Sequence, residues 1–156
     1  RGLSLLREAG SAVGEDVLAP QARRDHAGFL SRIEAGRPMV TLKLAMSLDG
    51  RIATAAGESQ WITGPEARRV VHAMRARHDA VLVGAGTARA DAPSLTVRDL
   101  GVDRQPVRGV RSAALDLPQS GPLFETARDV PVWLLHGTDA PSDRVAAWSR
   151  DGAELI

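Results

Sequence analysis

Asp79-Ala-Val-Leu-Val-Gly-Ala-Gly-Thr87 is the most informative stretch of this 156-residue chain. It begins with a short apolar run between turn-forming residues, which is typical of a strand buried on both faces of a parallel sheet. The glycine pair Gly84 and Gly86 follows at once, and a helical turn at residues 88–90 comes next. Because a strand that leads directly into a helix is the repeating unit of α/β folds, this stretch predicts that class.

The segment before this strand predicts an amphipathic helix that ends near His78. Thr63 and Glu66 have the spacing of a capping box, in which the two side chains satisfy free main-chain N–H groups of the first turn. Apolar residues then recur at the i, i+3, i+4 and i+7 positions that form one helical face: Ala67, Val70, Val71 and Met74.

The alternation of strand and helix continues after the glycine turn. Apolar residues mark extended pieces around a polar loop: Leu95, Val97, Val107 and Val110. Residues 130–135 predict a strand with Pro131 in its first residues or at an edge. Residues 141–151 predict a helix, and residues 153–156 begin another strand. The pattern indicates a largely parallel central sheet flanked by helices, and we expect the fold to be incomplete at its C-terminus.

On the N-terminal side, residues 40–46 predict a strand with two different faces. Apolar side chains alternate with Thr41, Lys43 and Ala45 in the two-residue period of a strand. Residues 1–36 predict helices, the first ending at Gly10 and the second running from Pro20 to Gly36. Gly36-Arg-Pro38 breaks the chain, so we divide it into residues 1–36 and 37–156.

Composition excludes several classes of function. The 20 basic and 19 acidic residues leave a net charge of +1, which argues against nucleic-acid or membrane binding. Cysteine is absent, so disulfides, thiolate metal sites and cysteine nucleophiles are excluded. No apolar run approaches the ~20 residues of a membrane span, and the start resembles no signal peptide, so we expect a cytoplasmic protein. The histidines lack metal-ligand spacing, and no metal is expected: His26, His72, His78 and His136.

One residue stands out from this composition. Lys43 is the single lysine, and the other 19 basic residues are arginines. Lysine is a compact charge whose pKa falls on burial, whereas arginine is a permanently charged planar fork. The lone ammonium has either a specific role or has survived by chance, and both interpretations stay open.

Several residues could bind a ligand, and each also has a structural interpretation. The stretch from Gly84 to Thr87 is either an anion-binding strand-to-helix turn or a tight turn without a ligand. Ser59 offers a hydroxyl to a phosphate, and Trp61 offers an indole to a flat ring, although we expect Trp61 to anchor a core. Asp91 either positions a substrate amine or nicotinamide, or caps the turn before Pro93.

Two arginines are candidates for a phosphate. Arg75 and Arg98 can each form a bidentate contact with phosphate oxygens, or lie on the surface as solvated cations. The residues alone therefore predict an α/β protein with a candidate site for a phosphorylated ligand, and no more.

Four segments, in order and spacing, resemble the reductase domain of the bifunctional riboflavin-biosynthesis deaminase/reductase, which has a dihydrofolate-reductase-like fold. They are Val40-Thr-Leu-Lys-Leu-Ala-Met-Ser-Leu-Asp-Gly-Arg-Ile-Ala53, Gly57-Glu-Ser-Gln-Trp-Ile-Thr63, Val81-Leu-Val-Gly-Ala-Gly-Thr87 and Ala90-Asp-Ala-Pro-Ser-Leu-Thr-Val-Arg98. Residues 1–36 resemble the tail of the preceding deaminase domain, but the zinc-binding motifs of that domain are absent. The resemblance implies that the chain is the N-terminal part of a reductase domain.

The resemblance also implies a reaction and its site. The family reduces the ribosyl group of 5-amino-6-(5-phosphoribosylamino)uracil to a ribityl chain with NADPH, as a homodimer. The cofactor would be lined by Ala45, Trp61, Gly84, Gly86, Thr87 and Asp91. The phosphoribosyl substrate would be held by Ser59, Arg75, Leu95 and Arg98. Lys43 and Asp91 would orient and polarise the sugar at C1.

Departures from the family pattern keep two alternatives in view. Ala92 stands where the family usually has a second Asp, and Arg111-Ser-Ala113 replaces a Leu-Asp-Ser. The family's later Glu-Gly-Gly-type cofactor loop is also absent from this chain. A non-catalytic module for phosphoribosyl ligands and a reductase of the same fold for another pterin or pyrimidine therefore stay as alternatives.

Overall fold

The computed structural model describes residues 2–59 and 61–156, and the chain forms two compact units. The first unit ends at Met46 and the second is Ser47–Ile156. The first unit contains three helices: α1 (Gly2–Glu8), α2 (Ala19–Asp25) and α3 (Ala27–Ala35). Gly10 and Gly36 follow α1 and α3 with positive φ angles, so both glycines end helices as their positions predict.

The single helix expected between Pro20 and Gly36 is wrong, because two helices meet at His26. This residue ends α2 and precedes α3 with φ −102° and ψ 15°, outside the helical range. Its N–H still bonds the carbonyls of Ala22 and Arg24, so the backbone stays hydrogen-bonded through the break.

The strand expected at residues 40–46 is also wrong. No helix or strand covers this segment, and its apolar side chains are exposed: Val40, Leu42, Leu44 and Met46. A strand persists when a neighbouring backbone pairs with its N–H and C=O groups. None of the strands in the described part of the chain pairs with this segment, so its alternation produces no ladder.

The second unit carries a four-stranded sheet. Helix α4 (Pro65–Arg77) leads into β1 (Ala80–Gly84), and α5 (Ala85–Asp91) begins at the next residue. The later elements are β2 (Val107–Arg111), α6 (Pro122–Glu125), β3 (Val132–Leu135), α7 (Ser142–Arg150) and β4 (Glu154–Leu155). All three strand pairs are parallel, in the order β1-β2-β3-β4. The predicted α/β class with a largely parallel sheet is confirmed.

The core lies on one face of this sheet. Val110 and Leu134 from the strands pack with Ala88, Leu123 and Trp148 from helices α5, α6 and α7. The connections between successive parallel strands run through α5, α6 and α7, and each of these helices contributes a side chain to this core, so the three helices lie on the same face.

The opposite face is exposed, so the expectation that β1 is buried on both faces is wrong. Leu82 is 59% exposed, and it lies in register with Gly109 of β2, which in turn pairs with Trp133 of β3. Trp133 is also exposed. Because helices α5 to α7 cover the other face, this row of side chains has no helical layer from them.

The start of α4 differs from the predicted capping box. Gly64 is the N-cap, and no side-chain hydrogen bond caps the helix. Pro65 occupies the first helical position, where its missing N–H costs nothing, so the helix starts one residue later than the box requires. Thr63 consequently lies outside the helix.

Candidate functional site

The irregular segment 94–98, which carries two predicted substrate contacts, is held by side chains from other parts of the second unit. Its backbone forms no strand, yet its polar groups have partners. Arg108 Nη1 donates to the Ser94 carbonyl (3.4 Å), and Arg75 Nη1 donates to the Thr96 carbonyl (2.9 Å). The Val97 N–H donates to Gln105 Oε1 (2.7 Å), and Gln105 Nε2 donates to the Val97 carbonyl (3.2 Å). The Arg98 N–H donates to His72 Nδ1 (3.1 Å). The segment is therefore a positioned loop.

On one side of this segment, side chains of helix α4 bond the backbone groups that a neighbouring strand would bond in a sheet. His72 and Arg75 lie one turn apart and reach the N–H of Arg98 and the carbonyl of Thr96. In extended backbone, these two groups belong to residues i+2 and i and point to the same side. The N–H and carbonyl of Val97 point the other way and pair with the side-chain amide of Gln105, so the segment is gripped from two sides.

Two positively charged side chains, Arg75 and Arg98, lie at this segment. Burial lowers the pKa of Arg75, and the nearby Arg98 lowers it further. Burial also lowers the pKa of His72, with smaller contributions from Arg75 and Arg98, while the Thr96 backbone and Asp99 raise it. Among the described residues, neither Arg75 nor Arg98 forms an ion pair within 4.0 Å of a carboxylate. The two guanidinium groups thus lie close enough to repel each other, which favours a site for an anion.

Arg108 supports the same segment from inside the core. Its side chain is 0% exposed, and its guanidinium donates to main-chain carbonyls and to the hydroxyl of Thr126. Burial lowers the pKa of Arg108, and Asp129 raises it, although an arginine stays charged. A buried arginine bonded to carbonyls fixes the relative positions of the segments that carry them.

Leu95 lies between these contacts but faces the core. Its side chain is 4% exposed and belongs to the hydrophobic cluster with Val110 and Leu123. Its φ angle is +57°, a left-handed conformation that costs a leucine energy and that the surrounding contacts must stabilise. The whole residue is buried, and the role of Leu95 toward a substrate stays a prediction.

The glycine pair lies at the junction of β1 and α5. Gly84 ends the strand, and Gly86 lies in the first turn of the helix. A Cβ atom built on either glycine would meet nothing within 4 Å. Thr87 and Asp91 are both exposed on α5. The predicted passage from strand to helix at Gly84 is confirmed, but the helix begins at Ala85, so Gly86 and Thr87 belong to α5 and not to a separate turn.

Trp61 is 69% exposed, so its expected role as a core anchor is wrong. The guanidinium of Arg68 lies over the indole ring, 4.4 Å from the centroid, and also donates to the Thr63 carbonyl at 3.0 Å. The indole is therefore exposed to solvent, with the Arg68 guanidinium over one of its faces. Ser59 is exposed in the same loop, and Gln60 lies outside the described residues.

The remaining predicted residues belong to the first unit. Lys43 is exposed and Ala45 is half-buried, and both lie in the segment 40–46. Their roles with Asp91 and the cofactor stay predictions.

Neither a cluster of metal ligands nor a membrane-spanning helix occurs among the described residues. Within residues 2–59 and 61–156, no three histidine or acidic residues lie close enough together to bind a metal ion. None of the helices in those ranges has the length and apolar character that crossing a membrane requires.

Sequence reasoning missed His72 and Arg68. Both lie on the face of α4 that also carries Arg75, at positions i, i+4 and i+7. This spacing of polar residues on one helical face was the signal that could have identified them. The prediction for this helix used only its apolar stripe.

Comparisons with known proteins place these features in context. The family model of the RibD C-terminal domain matches residues 38–148. The riboflavin biosynthesis protein RibD of Haemophilus influenzae is 44% identical over 147 residues, which cover 86% of this chain and 39% of that protein. These matches confirm the resemblance found in the sequence.

Solved structures give the same result. A Thermotoga maritima diaminohydroxyphosphoribosylaminopyrimidine deaminase/5-amino-6-(5-phosphoribosylamino)uracil reductase matches with a TM-score of 0.77 and 32% identity, over 99% of this chain and 49% of that one. RibD of Acinetobacter baumannii matches with a TM-score of 0.78 and 32% identity, over 99% and 43%. The chain spans less than half the length of each of these relatives.

Proposed function

This chain belongs to the RibD C-terminal domain family, and we propose that it performs the reductase step of riboflavin biosynthesis. In that step the ribosyl group of 5-amino-6-(5-phosphoribosylamino)uracil is reduced to a ribityl chain with NADPH. The Thermotoga relative, at 32% identity, is described as a reductase of this substrate. The observation that carries the proposal is the pair Arg75 and Arg98: Arg75 donates to the carbonyl of Thr96, two residues before Arg98, and neither arginine has a carboxylate within 4.0 Å among the described residues.

The proposed substrate site is built on the segment 94–98. Arg75 uses one arm of its fork on the Thr96 carbonyl, which fixes the direction of the guanidinium. Arg98, at the end of the segment, supplies the second guanidinium for the phosphate. Ser59 and Leu95 complete the substrate contacts that the family resemblance implies.

The proposed cofactor site uses the β1–α5 junction. The open space beside Gly84 and Gly86 supports the fit, because side chains there would occupy the approach to the backbone. Ala45, Trp61, Thr87 and Asp91 are the further residues proposed to hold NADPH. When bound, NADPH supplies the hydride for the reduction.

The proposed catalytic residues are Lys43 and Asp91. An ammonium group donates hydrogen bonds and carries positive charge, so Lys43 would polarise the C1 imine of the opened sugar or a neighbouring hydroxyl. Asp91 would orient the same groups by accepting hydrogen bonds. Asp91 is also among the proposed cofactor contacts, so it would serve both ligands.

The organisation of the chain follows from this assignment. We propose that residues 37–156 are the N-terminal part of the reductase domain and that residues 1–36 are the tail of a deaminase domain and its linker. A cytoplasmic homodimer is proposed on the family resemblance.

A single assay tests the function. The 156-residue chain is mixed with NADPH and 5-amino-6-(5-phosphoribosylamino)uracil, and the absorbance of the reduced nicotinamide is followed against a sample without substrate. Substrate-dependent loss of absorbance supports the reductase. Tight binding of the substrate without oxidation of NADPH would favour the non-catalytic module. The replacement of the family's usual second Asp by Ala92 supports that alternative. Oxidation only with other pterins or pyrimidines would favour the third alternative.

A further inference from the structure

We propose that His72 is a positioning residue for Arg98: its neutral imidazole accepts the main-chain N–H of Arg98 and fixes the base of the phosphate-binding side chain. The inference rests on the proposed function, since it adds a residue to the same phosphate site. None of the family comparisons or sequence motifs assigns this histidine a role.

The geometry defines the state of the imidazole. The Arg98 nitrogen lies 3.1 Å from Nδ1 of His72, and a main-chain N–H can only donate. Nδ1 must therefore carry a lone pair, and the proton of the neutral ring lies on Nε2. A doubly protonated ring would turn one N–H against another and would lose the bond.

The position of this bond along the chain means that it fixes the main chain at Arg98 itself. Thr96 and Val97 are held by Arg75 and Gln105, and the His72 bond is the last of these tethers before the exposed Arg98 side chain. Asp99 follows with a φ angle of +60°, where the chain turns away. Without His72, the hydrogen bonds that hold this segment would end at Val97, one residue before Arg98, whose guanidinium is proposed to bind the phosphate.

A long side chain amplifies such a loss. Bidentate contact with a phosphate requires both N–H vectors of the guanidinium to be aligned with the oxygens. Freedom at the main chain of Arg98 spreads its guanidinium over many positions, and this freedom must be lost again on binding. The expected consequence is weaker phosphate binding with no change in the contacts themselves.

The charges around His72 favour the neutral ring that this role needs. Arg75 on the same helix and Arg98 across from it oppose protonation, while Asp99 and the Thr96 carbonyl favour it. A protonated His72 could instead attract the phosphate directly by its charge. The two roles can be told apart by replacing His72 with an uncharged hydrogen-bond acceptor, which keeps the positioning role but removes the charge.

The experiment measures binding of ribose 5-phosphate to the 156-residue chain by calorimetry near pH 7.5, with ribose as the probe without phosphate. His72→Ala should weaken ribose 5-phosphate binding about tenfold, the equivalent of one hydrogen bond and the order it imposes. His72→Asn keeps an acceptor near the place of Nδ1 without a titratable charge, and it should bind within about twofold of the wild type. His136→Ala is the matched control, since this histidine bonds the neighbouring Gly137 carbonyl, and it should leave binding unchanged.

Two further measurements separate positioning from direct contact. In the Arg98→Ala background, His72→Ala should cause no additional loss, because there is no guanidinium left to position. Hydrogen exchange of the Arg98 amide, measured without ligand, should be faster in His72→Ala and unchanged in His72→Asn. If His72→Ala does not fold, His72→Gln takes its place, because its longer amide displaces the acceptor from the Nδ1 position.

The possible failures are distinct. If the wild type does not bind ribose 5-phosphate, the proposed phosphate site is wrong, whatever the Arg98 amide does. If the wild type binds and His72→Ala binds equally well, the phosphate site stands and the role of His72 is wrong. If His72→Asn binds as weakly as His72→Ala while its Arg98 amide stays protected, His72 acts on the ligand by charge and the positioning role is overturned.

Discussion

Arg108 and Thr126 are joined by two hydrogen bonds inside the second unit: Nη1 donates to the Thr126 hydroxyl at 2.8 Å and Nη2 donates to its carbonyl at 2.9 Å. The same guanidinium reaches the carbonyls of Ser94, Pro122 and Val130. One buried side chain therefore joins β2 to the end of α6 and to the segment that carries the proposed substrate contacts. Its direct hydrogen-bond partners are neutral oxygens, and Asp129 adds a favourable charge at longer range.

Arg108→Met should destabilise the chain by about 3 kcal/mol. The substitution removes the guanidinium that donates to the partly buried carbonyls of Ser94 and Val130, and each carbonyl left without a donor is costly. Arg111→Met is the matched control, since Arg111 lies on the same strand but is exposed, and we expect a change within about 0.5 kcal/mol. Urea unfolding followed by circular dichroism measures both, and equal effects would mean that the buried fork adds nothing to stability.

Arg98→Ala should weaken binding of ribose 5-phosphate by about 2 kcal/mol, roughly thirtyfold, because a charge-assisted bidentate contact is lost. Binding of ribose should not change. Arg104→Ala removes a guanidinium that pairs with Asp79, and it serves as the control for loss of positive charge. Calorimetry decides the matter: equal losses for phosphorylated and unphosphorylated sugar would contradict a phosphate contact.

Lys43→Ala should lower kcat of the proposed reduction while leaving KM nearly unchanged. An interaction that strengthens as charge develops at the sugar contributes to the transition state more than to substrate binding. Steady-state oxidation of NADPH measures both constants, and Lys43→Arg tests whether a compact ammonium is required. Full turnover in Lys43→Ala would remove this residue from the mechanism.

Gly86→Ala separates the needs of the fold from those of the cofactor. Alanine in a helix is favoured over glycine by about 0.5–1 kcal/mol, and the site is open, so thermal stability should rise. Binding of NADPH, followed by nicotinamide fluorescence, should weaken if the cofactor approaches this backbone. Gly152→Ala is the contrasting variant: a Cβ there would lie 2.9 Å from the Arg128 side chain at a φ angle of +97°, so we expect lower stability. Unchanged NADPH affinity in Gly86→Ala would exclude this glycine from the cofactor site.

Acidification should destabilise the wild type more than His72→Asn. Burial, Arg75 and Arg98 together lower the pKa of His72 in the folded chain, whereas the unfolded chain keeps a value of about 6.5. Just below pH 6.5 the unfolded state thus binds more protons, and the free energy of unfolding falls as the pH drops through that window. Urea unfolding of both proteins at about pH 7.5 and 5.5 measures the difference. Parallel pH profiles would show that folding leaves the pKa of His72 unchanged.

Local pattern was sufficient for the elements whose residues carry their own signal. The run from Ala80 to Gly84 and the helix that follows it, the helix α7 and the strand β4 all lie where periodicity and turn residues predict them. The family resemblance was likewise readable, because it depends on the order and spacing of residues and on nothing else. Residues 40–46 carried an equally clear alternation, but a strand also needs a partner backbone that no local pattern supplies.

Neighbouring residues in the chain were enough to predict the α/β class, the junction at Gly84 and the candidate residues Arg75 and Arg98. Contacts across the folded chain were needed to show that Trp61 is exposed under Arg68, that Leu95 packs into the core, and that His72 bonds the Arg98 backbone. Such contacts join residues far apart in sequence, as in the separation of 26 positions from His72 to Arg98. Periodicity reports which face of an element is buried, whereas the partner of a polar side chain is set by what the fold brings opposite to it.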